Sequence, residues 1–251
     1  MLRLIEWPLR LPAGERIHSA MGSILHGALM EIVGTDTAAE LHEITLRPYS
    51  QCVYFDKEIC MPIWRITTLH DEAYERIVQP LRDCDGNIFL KQKNYTVCLD
   101  KAVRFSECSY EKLANSVFQP EQAPRGVDVT FLTTTSFKHD GKYVIFPDVV
   151  LLFHSLISKW NAFSPRIVLS QEKLEYALAE SCSMTKYDLH SLPYSLEGRN
   201  LYGFGGSMRL TFRGNDMTKR LMGLLWSFAP FAGMGIKTAL GMGALKTMIR
   251  M

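Results

Sequence analysis

Near its C-terminus the chain reads Gly233-Met234-Gly235-Ile236-Lys237-Thr238-Ala239-Leu240-Gly241-Met242-Gly243. Two Gly-x-Gly units bracket one Lys-Thr. The stretch separates an amphipathic helix, Met217 to Ala229, from a final strand, Ala244 to Ile249, so the chain closes as helix, loop and strand. Glycine at this density lets a backbone adopt positive φ and come close to another chain or a ligand. Clustered N–H groups in such a loop form a concavity suited to phosphate oxygens, and Lys237 adds a point charge. A tight connection in which glycine only relieves crowding fits the same letters. Two nucleotide-binding devices are excluded. No G-x-x-x-x-G-K-[ST] spacing occurs, and the stretch does not follow a strand and open a helix as a dinucleotide site requires.

Outward from this loop, Asp216 caps the helix, and Gly203-Phe204-Gly205-Gly206 leads into an alternating strand, Met208 to Arg213. Earlier come a strand Val127 to Thr135, a turn at Lys138 to Lys142 with a short strand to Phe146, and a helix from Asp148 to Trp160. A small helix, Gln171 to Glu180, and a strand, Cys182 to Leu192, follow. The first half shows the same order. Strand Leu2 to Leu9 precedes a helix Glu15 to Val33, with Ile17, Ala20, Met21, Ile24, Ala28 and Ile32 on one face and His18, Gly22 and His26 on another. Thr35-Asp36-Thr37 caps a short helix through Glu43. Strands Tyr49 to Phe55 and Pro62 to Thr68, a helix Asp71 to Leu81 capped by Asp71, and strands Ile88 to Lys91 and Tyr95 to Phe105 complete the half. Each half is β-α-β-β-α-β. The expected fold is therefore α+β, two tandem ferredoxin-like units: residues 1–118, a linker at 119–126 around Gln119-Pro120-Glu121-Gln122-Ala123-Pro124, and 127–251.

Composition fits a folded protein of 251 residues, 47% apolar and 22% charged. No apolar run reaches about 18 residues and no signal-peptide core follows Met1, so no membrane role and a cytoplasmic location are expected. The six cysteines form no C-x-x-C pair and read as buried or free thiols. The net charge of +2 is unevenly spread. From Arg199 onward eight basic residues face one acid, Asp216, a local +7, against −5 for the rest of the chain. Such a split points to a polyanion site in the later half.

With these elements in place the chain resembles the CRISPR-associated repeat endoribonucleases of the Cas-six family, within the RAMP superfamily. Gly203-Phe204-Gly205-Gly206-Ser207-Met208-Arg209-Leu210-Thr211-Phe212, the amphipathic helix and Gly233 to Gly243 match that family's strand, helix and glycine-rich loop in order and spacing. Leu25-His26-Gly27-Ala28-Leu29, Leu41-His42-Glu43 and Pro48-Tyr49-Ser50 form a second match. Phe131-Leu132-Thr133-Thr134-Thr135 with Phe146-Pro147 is a third. The resemblance implies two ferredoxin-like folds side by side and metal-independent cleavage of the repeat within a CRISPR transcript. The ribose 2′-OH would attack the adjacent phosphate, leaving a 2′,3′-cyclic phosphate and a 5′-OH. It implies no cofactor and no metal. Its partners would be CRISPR repeat RNA, precursor and mature, and other Cas proteins of an effector complex; pairing of two copies is left open.

That reaction needs a proton acceptor, a role histidine suits because it titrates near neutrality. It also needs cations on the phosphate. His42 matches the family histidine; a helix-end histidine paired with Glu43 is the plain alternative. Arg47 stands near a family lysine and could hold the phosphate through its fork of donors. His26 and Tyr49 complete the catalytic candidates. Met30 falls where some relatives have a tyrosine and cannot move a proton, and His18 lies one turn further off. For RNA binding the candidates are Arg209, Arg213, Gly233, Gly235, Lys237, Thr238, Gly241 and Gly243, with N–H groups of Gly235 and Gly241 offered to phosphate. Tyr202 and Phe204 are stacking or core residues, and the four tryptophans core or interface. A non-catalytic RAMP subunit that binds CRISPR RNA is the rival reading. A metal-dependent nuclease lacks an acidic cluster with ligand-like spacing.

Overall fold

Apolar residues alternate along the first strand of each half and bury one face of each sheet: Ile5, Trp7 and Leu9 in one, Val127, Val129 and Phe131 in the other. The computed structural model describes residues 1–18, 21–196 and 198–251. In chain order the first half holds β1 (Leu2–Arg10), α1 (Met21–Val33), α2 (Thr35–Glu43), β2 (Tyr49–Asp56), β3 (Met61–Thr68) and α3 (Asp71–Ala73). A π turn (Tyr74–Val78), α4 (Gln79–Asp83), β4 (Asn87–Leu90), β5 (Tyr95–Leu99), β6 (Arg104–Cys108) and α5 (Tyr110–Phe118) follow. Then come β7 (Gly126–Thr135), β8 (Phe137–His139), β9 (Lys142–Val144), α6 (Val149–Phe163), α7 (Leu174–Glu180), β10 (Cys182–Leu196), β11 (Arg199–Phe212), α8 (Asp216–Ala232) and β12 (Leu245–Arg250).

Both sheets are antiparallel. The first runs β2-β3-β1-β5-β4 with β6 also on β1, and the second runs β10-β11-β7-β12. In each, the opening strand lies between the third and the last, the ferredoxin-like arrangement, so the molecule is two tandem ferredoxin-like folds. Each sheet has its own core. Leu25 and Leu29 of α1 pack on Trp64 and Ile66 in the first. Leu152, Leu156 and Trp160 of α6 meet Leu225 and Phe228 of α8 in the second, which also takes Tyr110 and Leu113 of α5. All four tryptophans are buried, and the six cysteines are free thiols. Among the described residues no helix is long and apolar enough to cross a membrane.

Buried polar bonds clamp the halves together. Thr67 Oγ1 donates to the Phe231 carbonyl at 2.6 Å, and Arg65 donates to that of Leu245 at 3.0 Å. Gln51 Nε2 donates to the carbonyls of both Gly22 and Ala239, at 2.7 and 2.9 Å. One side chain thus ties the glycine-rich loop to α1, and this fixes how the site is assembled.

Several expected boundaries are corrected. The first helix starts at Met21, not Glu15: residues 15–18 offer one apolar side chain, Ile17, between exposed polar ones, too little to offset helix nucleation. Ala20, expected on the apolar face, lies outside the described residues. The single strand expected over Tyr95 to Phe105 is two, β5 on Leu9–Arg10 and β6 on Leu2–Glu6. Pro8 has no N–H to donate, so the ladder breaks there and Asp100 N–H bonds the Pro8 carbonyl instead. Pro80 likewise cannot close an α-helical bond, and the helix expected over Asp71 to Leu81 contains the π turn.

Caps differ too. His70 Nδ1, not Asp71, accepts the Ala73 N–H, while Asp71 pairs with Arg3 at 2.7 Å. Asn215 rather than Asp216 caps α8, and α2 starts at Gly34 with no side-chain cap. Lastly, β10 and β11 form one long hairpin. Pro193 is tolerated because β10 is an edge strand. Gly206 lies within β11 because a methyl there would run into the Asp188 carbonyl.

Candidate functional site

Three short segments build the first wall. α1 carries His26 among its buried residues, only 5% exposed. α2 presents His42 to solvent one residue before its end. The turn into β2 carries Arg47, whose Nε donates to the Leu41 carbonyl at 3.1 Å, so the guanidinium is folded back against α2. Its Nη2 reaches His42 Nδ1 at 3.4 Å. Guanidinium only donates, so Nδ1 is the acceptor and Nε2 is left to face outward. The His26 and His42 rings meet edge-on with centroids 6.2 Å apart, and Tyr49 stacks on His26 at 6.4 Å with its Oη 3.5 Å from Nδ1. His26, His42, Arg47 and Tyr49, drawn from three elements, therefore form one cluster.

Burial first, then the neighbouring Arg47 and His42, pushes the His26 imidazole down to about 4. Burial also pushes the Tyr49 phenol up to about 12, against the pull of Arg47. Both are neutral at pH 7. His26 Nε2 is buried and has no hydrogen-bond partner among the described residues.

The second wall is the glycine-rich loop. Lys237 takes the left-handed conformation (φ 55°), projects into solvent, and precedes a 3-10 turn, Thr238–Leu240. Of the two N–H groups expected to face phosphate, those of Gly235 and Gly241, the first is taken by a side chain of α6. Gly235 donates to Ser155 Oγ at 3.0 Å, Gly243 to the Thr134 carbonyl at 2.9 Å and Gly233 to that of Ala229 at 2.9 Å. The glycines shape this loop, and its cationic group is the Lys237 side chain. Thr238 is buried, its hydroxyl accepting from Lys159 Nζ at 3.1 Å.

One cleft of about 460 Å³ joins the walls, with His42 and Arg47 on one side, Lys237 and Thr238 on the other, and Lys159 between them. Its lining holds the basic side chains of Arg47, Lys159 and Lys237 and no carboxylate, a field that concentrates anions. Arg209 and Arg213 are not part of it. Arg209 is held by Asp128 through two bonds of 2.6 and 2.9 Å, and Arg213 lies past the end of β11. His18 lines a different cavity, Met30 is in the first core, Phe204 packs edge-on against Phe131, and Tyr202 is exposed. Among the described residues no three metal-ligating side chains come together.

The sequence profile of CRISPR-associated endoribonuclease Cas6 matches residues 129–245. A CRISPR-associated endoribonuclease Cas6 of Mycobacterium tuberculosis is 32% identical over 232 residues, covering 91% of this chain and 72% of that protein. The chain belongs to the Cas6 family of CRISPR-associated endoribonucleases. A Streptococcus thermophilus Cas6 is 29% identical over 224 residues, 88% of either chain. In fold, Thermus thermophilus Cas6 superposes with a TM-score of 0.73 at 23% identity, covering 99% of this chain and 98% of its own. A Cas6 product complex reaches 0.78 at 22% identity, covering 98% and 99%.

In this Cas6 chain the residue that sequence reasoning missed is Lys159. Its Nζ donates to the Ala232 carbonyl and to Thr238, and lies 3.5 Å from the Gly233 carbonyl, so it ties the start of the loop to its middle. Burial without a carboxylate partner pushes it down to about 7. The sequence does hold a sign of it: Leu152, Leu156 and Lys159 share the buried stripe of α6, where lysine is out of place.

His26 supplies a prediction of its own. Its folded pKa lies below the ordinary 6.5, so the unfolded chain takes up a proton first on acidification. The stability contribution is complete above pH 6.5 and is lost as pH falls toward 4. Urea unfolding at pH 7 and pH 4 should show the native chain losing about 3 kcal/mol more than a His26→Gln variant. Equal losses in the two proteins would mean that His26 is not buried as a neutral imidazole.

Proposed function

We propose that the chain cleaves CRISPR repeat RNA within its precursor transcript, without a metal ion, by attack of the ribose 2′-OH on the adjacent phosphate. The O2′–P bond forms, the P–O5′ bond breaks, and the products carry a 2′,3′-cyclic phosphate and a 5′-OH. The observation that carries this reading is that His42 and Lys237, from opposite halves, line one cleft whose other charged residues are Arg47 and Lys159. Product and substrate-mimic complexes among Cas6 proteins of this fold support it.

The division of work follows from the donors. Arg47 occupies His42 Nδ1, leaving Nε2 as the nitrogen that exchanges a proton with RNA. The rest of the Arg47 fork and Lys237 hold charge developing on the phosphate oxygens. His26 and Tyr49, neutral and packed behind His42, set the tilt of its ring. Purified protein incubated with repeat RNA in EDTA should give the cyclic-phosphate product; absence of cleavage there, with cleavage restored by Mg²⁺, would overturn the mechanism.

Lys237 is exposed and has no ion-pair partner among the described residues. Lys237→Ala should weaken RNA affinity several-fold and reduce the salt dependence of log Kd by about one. An unchanged slope would remove Lys237 from the phosphate surface.

A further inference from the structure

The cleft does not end at the glycine-rich loop. Beyond Gly235 and Ile236 a second depression of about 220 Å³ shares Leu46, Lys159 and both loop residues with it, then continues across α6 toward β8. Nothing in the reaction as derived above uses this branch, yet its chemistry continues that of the cleft. Ser155 Oγ accepts the Gly235 N–H, which leaves its own proton to donate. Ser158 lies one turn along the same helix. At the far end Lys138 is exposed, with no ion pair among the described residues. Its register partner across the β8–β9 hairpin is Tyr143, which therefore shares its face and is 47% exposed. Glu175 is turned to His154 at 3.6 Å and Asp140 to His139 at 3.5 Å.

Hydroxyl donors, then a lysine beside an open aromatic ring, is how unpaired nucleotides are held: hydroxyls and cations take phosphate and ribose oxygens, and the ring takes a base. The lining holds Lys138 and Lys159 and no carboxylate, a field that suits a polyanion better than the mixed charges of a protein rim. We propose that this branch is a second RNA subsite, holding the unpaired nucleotides on one side of the scissile phosphate, with Ser155, Ser158 and Lys138 on the backbone and Tyr143 stacked on a base. The inference rests on the RNA-cleavage reading, but its test reads binding and does not depend on turnover.

Dissociation constants would be measured for three RNAs: a full repeat, one trimmed to the scissile phosphate on its 5′ side, and one trimmed on its 3′ side. The proteins would be the native chain, a Lys138→Ala/Tyr143→Ala double variant on the surface hairpin, and Ser158→Trp, which fills the branch; melting curves would check their folds. Both variants should bind the full repeat roughly tenfold more weakly. One trimmed RNA should lose this difference entirely, because it no longer reaches the branch, while the other keeps it. Equal weakening on all three RNAs would overturn the subsite. So would unchanged affinity for the full repeat, which would leave the hairpin face to a protein partner. Loss of cleavage with this binding pattern intact would count against the catalytic reading alone.

Discussion

His42→Ala should slow cleavage of repeat RNA by about 10²-fold or more while leaving its dissociation constant within about twofold. The asymmetry follows from where the side chain sits. His42 is exposed on α2 and takes no part in either core, so removing it leaves the fold in place. Arg47 stays anchored on the Leu41 carbonyl, and Lys159 and Lys237 are untouched, so the cations that attract RNA remain. What disappears is the imidazole nitrogen that Arg47 leaves facing the cleft. Single-turnover rates at saturating protein, with filter binding in parallel, separate the two effects. Near-native turnover in the variant would move proton transfer to His26; a matching fall in affinity would make His42 a binding residue.

Gly243→Ala should be the most damaging single methyl in the chain. Gly243 has φ +71°, and its Cβ would run into the backbone oxygen of Met234. Neither side can yield, since Met234 N–H bonds the Gly243 carbonyl at 2.8 Å and Gly243 N–H bonds that of Thr134 at 2.9 Å. Relief requires breaking one of these bonds and distorting the loop that carries Lys237. A loss of roughly 3 kcal/mol is expected from left-handed strain plus an unsatisfied buried group, together with a sharp fall in RNA affinity. Gly27→Ala is the matched control. Gly27 lies inside α1 with open space beside it, so alanine there should raise stability by roughly 0.5–1 kcal/mol. Urea midpoints of the two variants that move together would contradict the idea of a tightly wedged loop.

The element order was legible because strands alternate, helices carry an apolar stripe, and Gly or Pro marks the breaks. Where the reading failed, the deciding interaction lay far away in sequence. The split between β5 and β6 is caused by a missing donor at Pro8 on the neighbouring strand. The pairing of Arg209 with both oxygens of Asp128, on the adjacent strand β7, is likewise invisible in the sequence. The Gly235 N–H reads as available to phosphate, yet its partner, Ser155, belongs to α6. For His26, only the packing of Tyr49 and α2 around it shows that it is enclosed. Lys159 was the opposite case, visible as a lysine on an apolar stripe but passed over because it lies far from any motif.

The most direct measurement is photo-crosslinking of repeat RNA carrying 4-thiouridine at the scissile nucleotide, with the attached peptides identified by mass spectrometry. The cleft described here requires adducts on both walls, in 41–47 and in 233–243. Adducts confined to one wall, or mapping to the cavity between Trp7 and Phe105 on the first sheet, would show that the RNA backbone does not pass between His42 and Lys237.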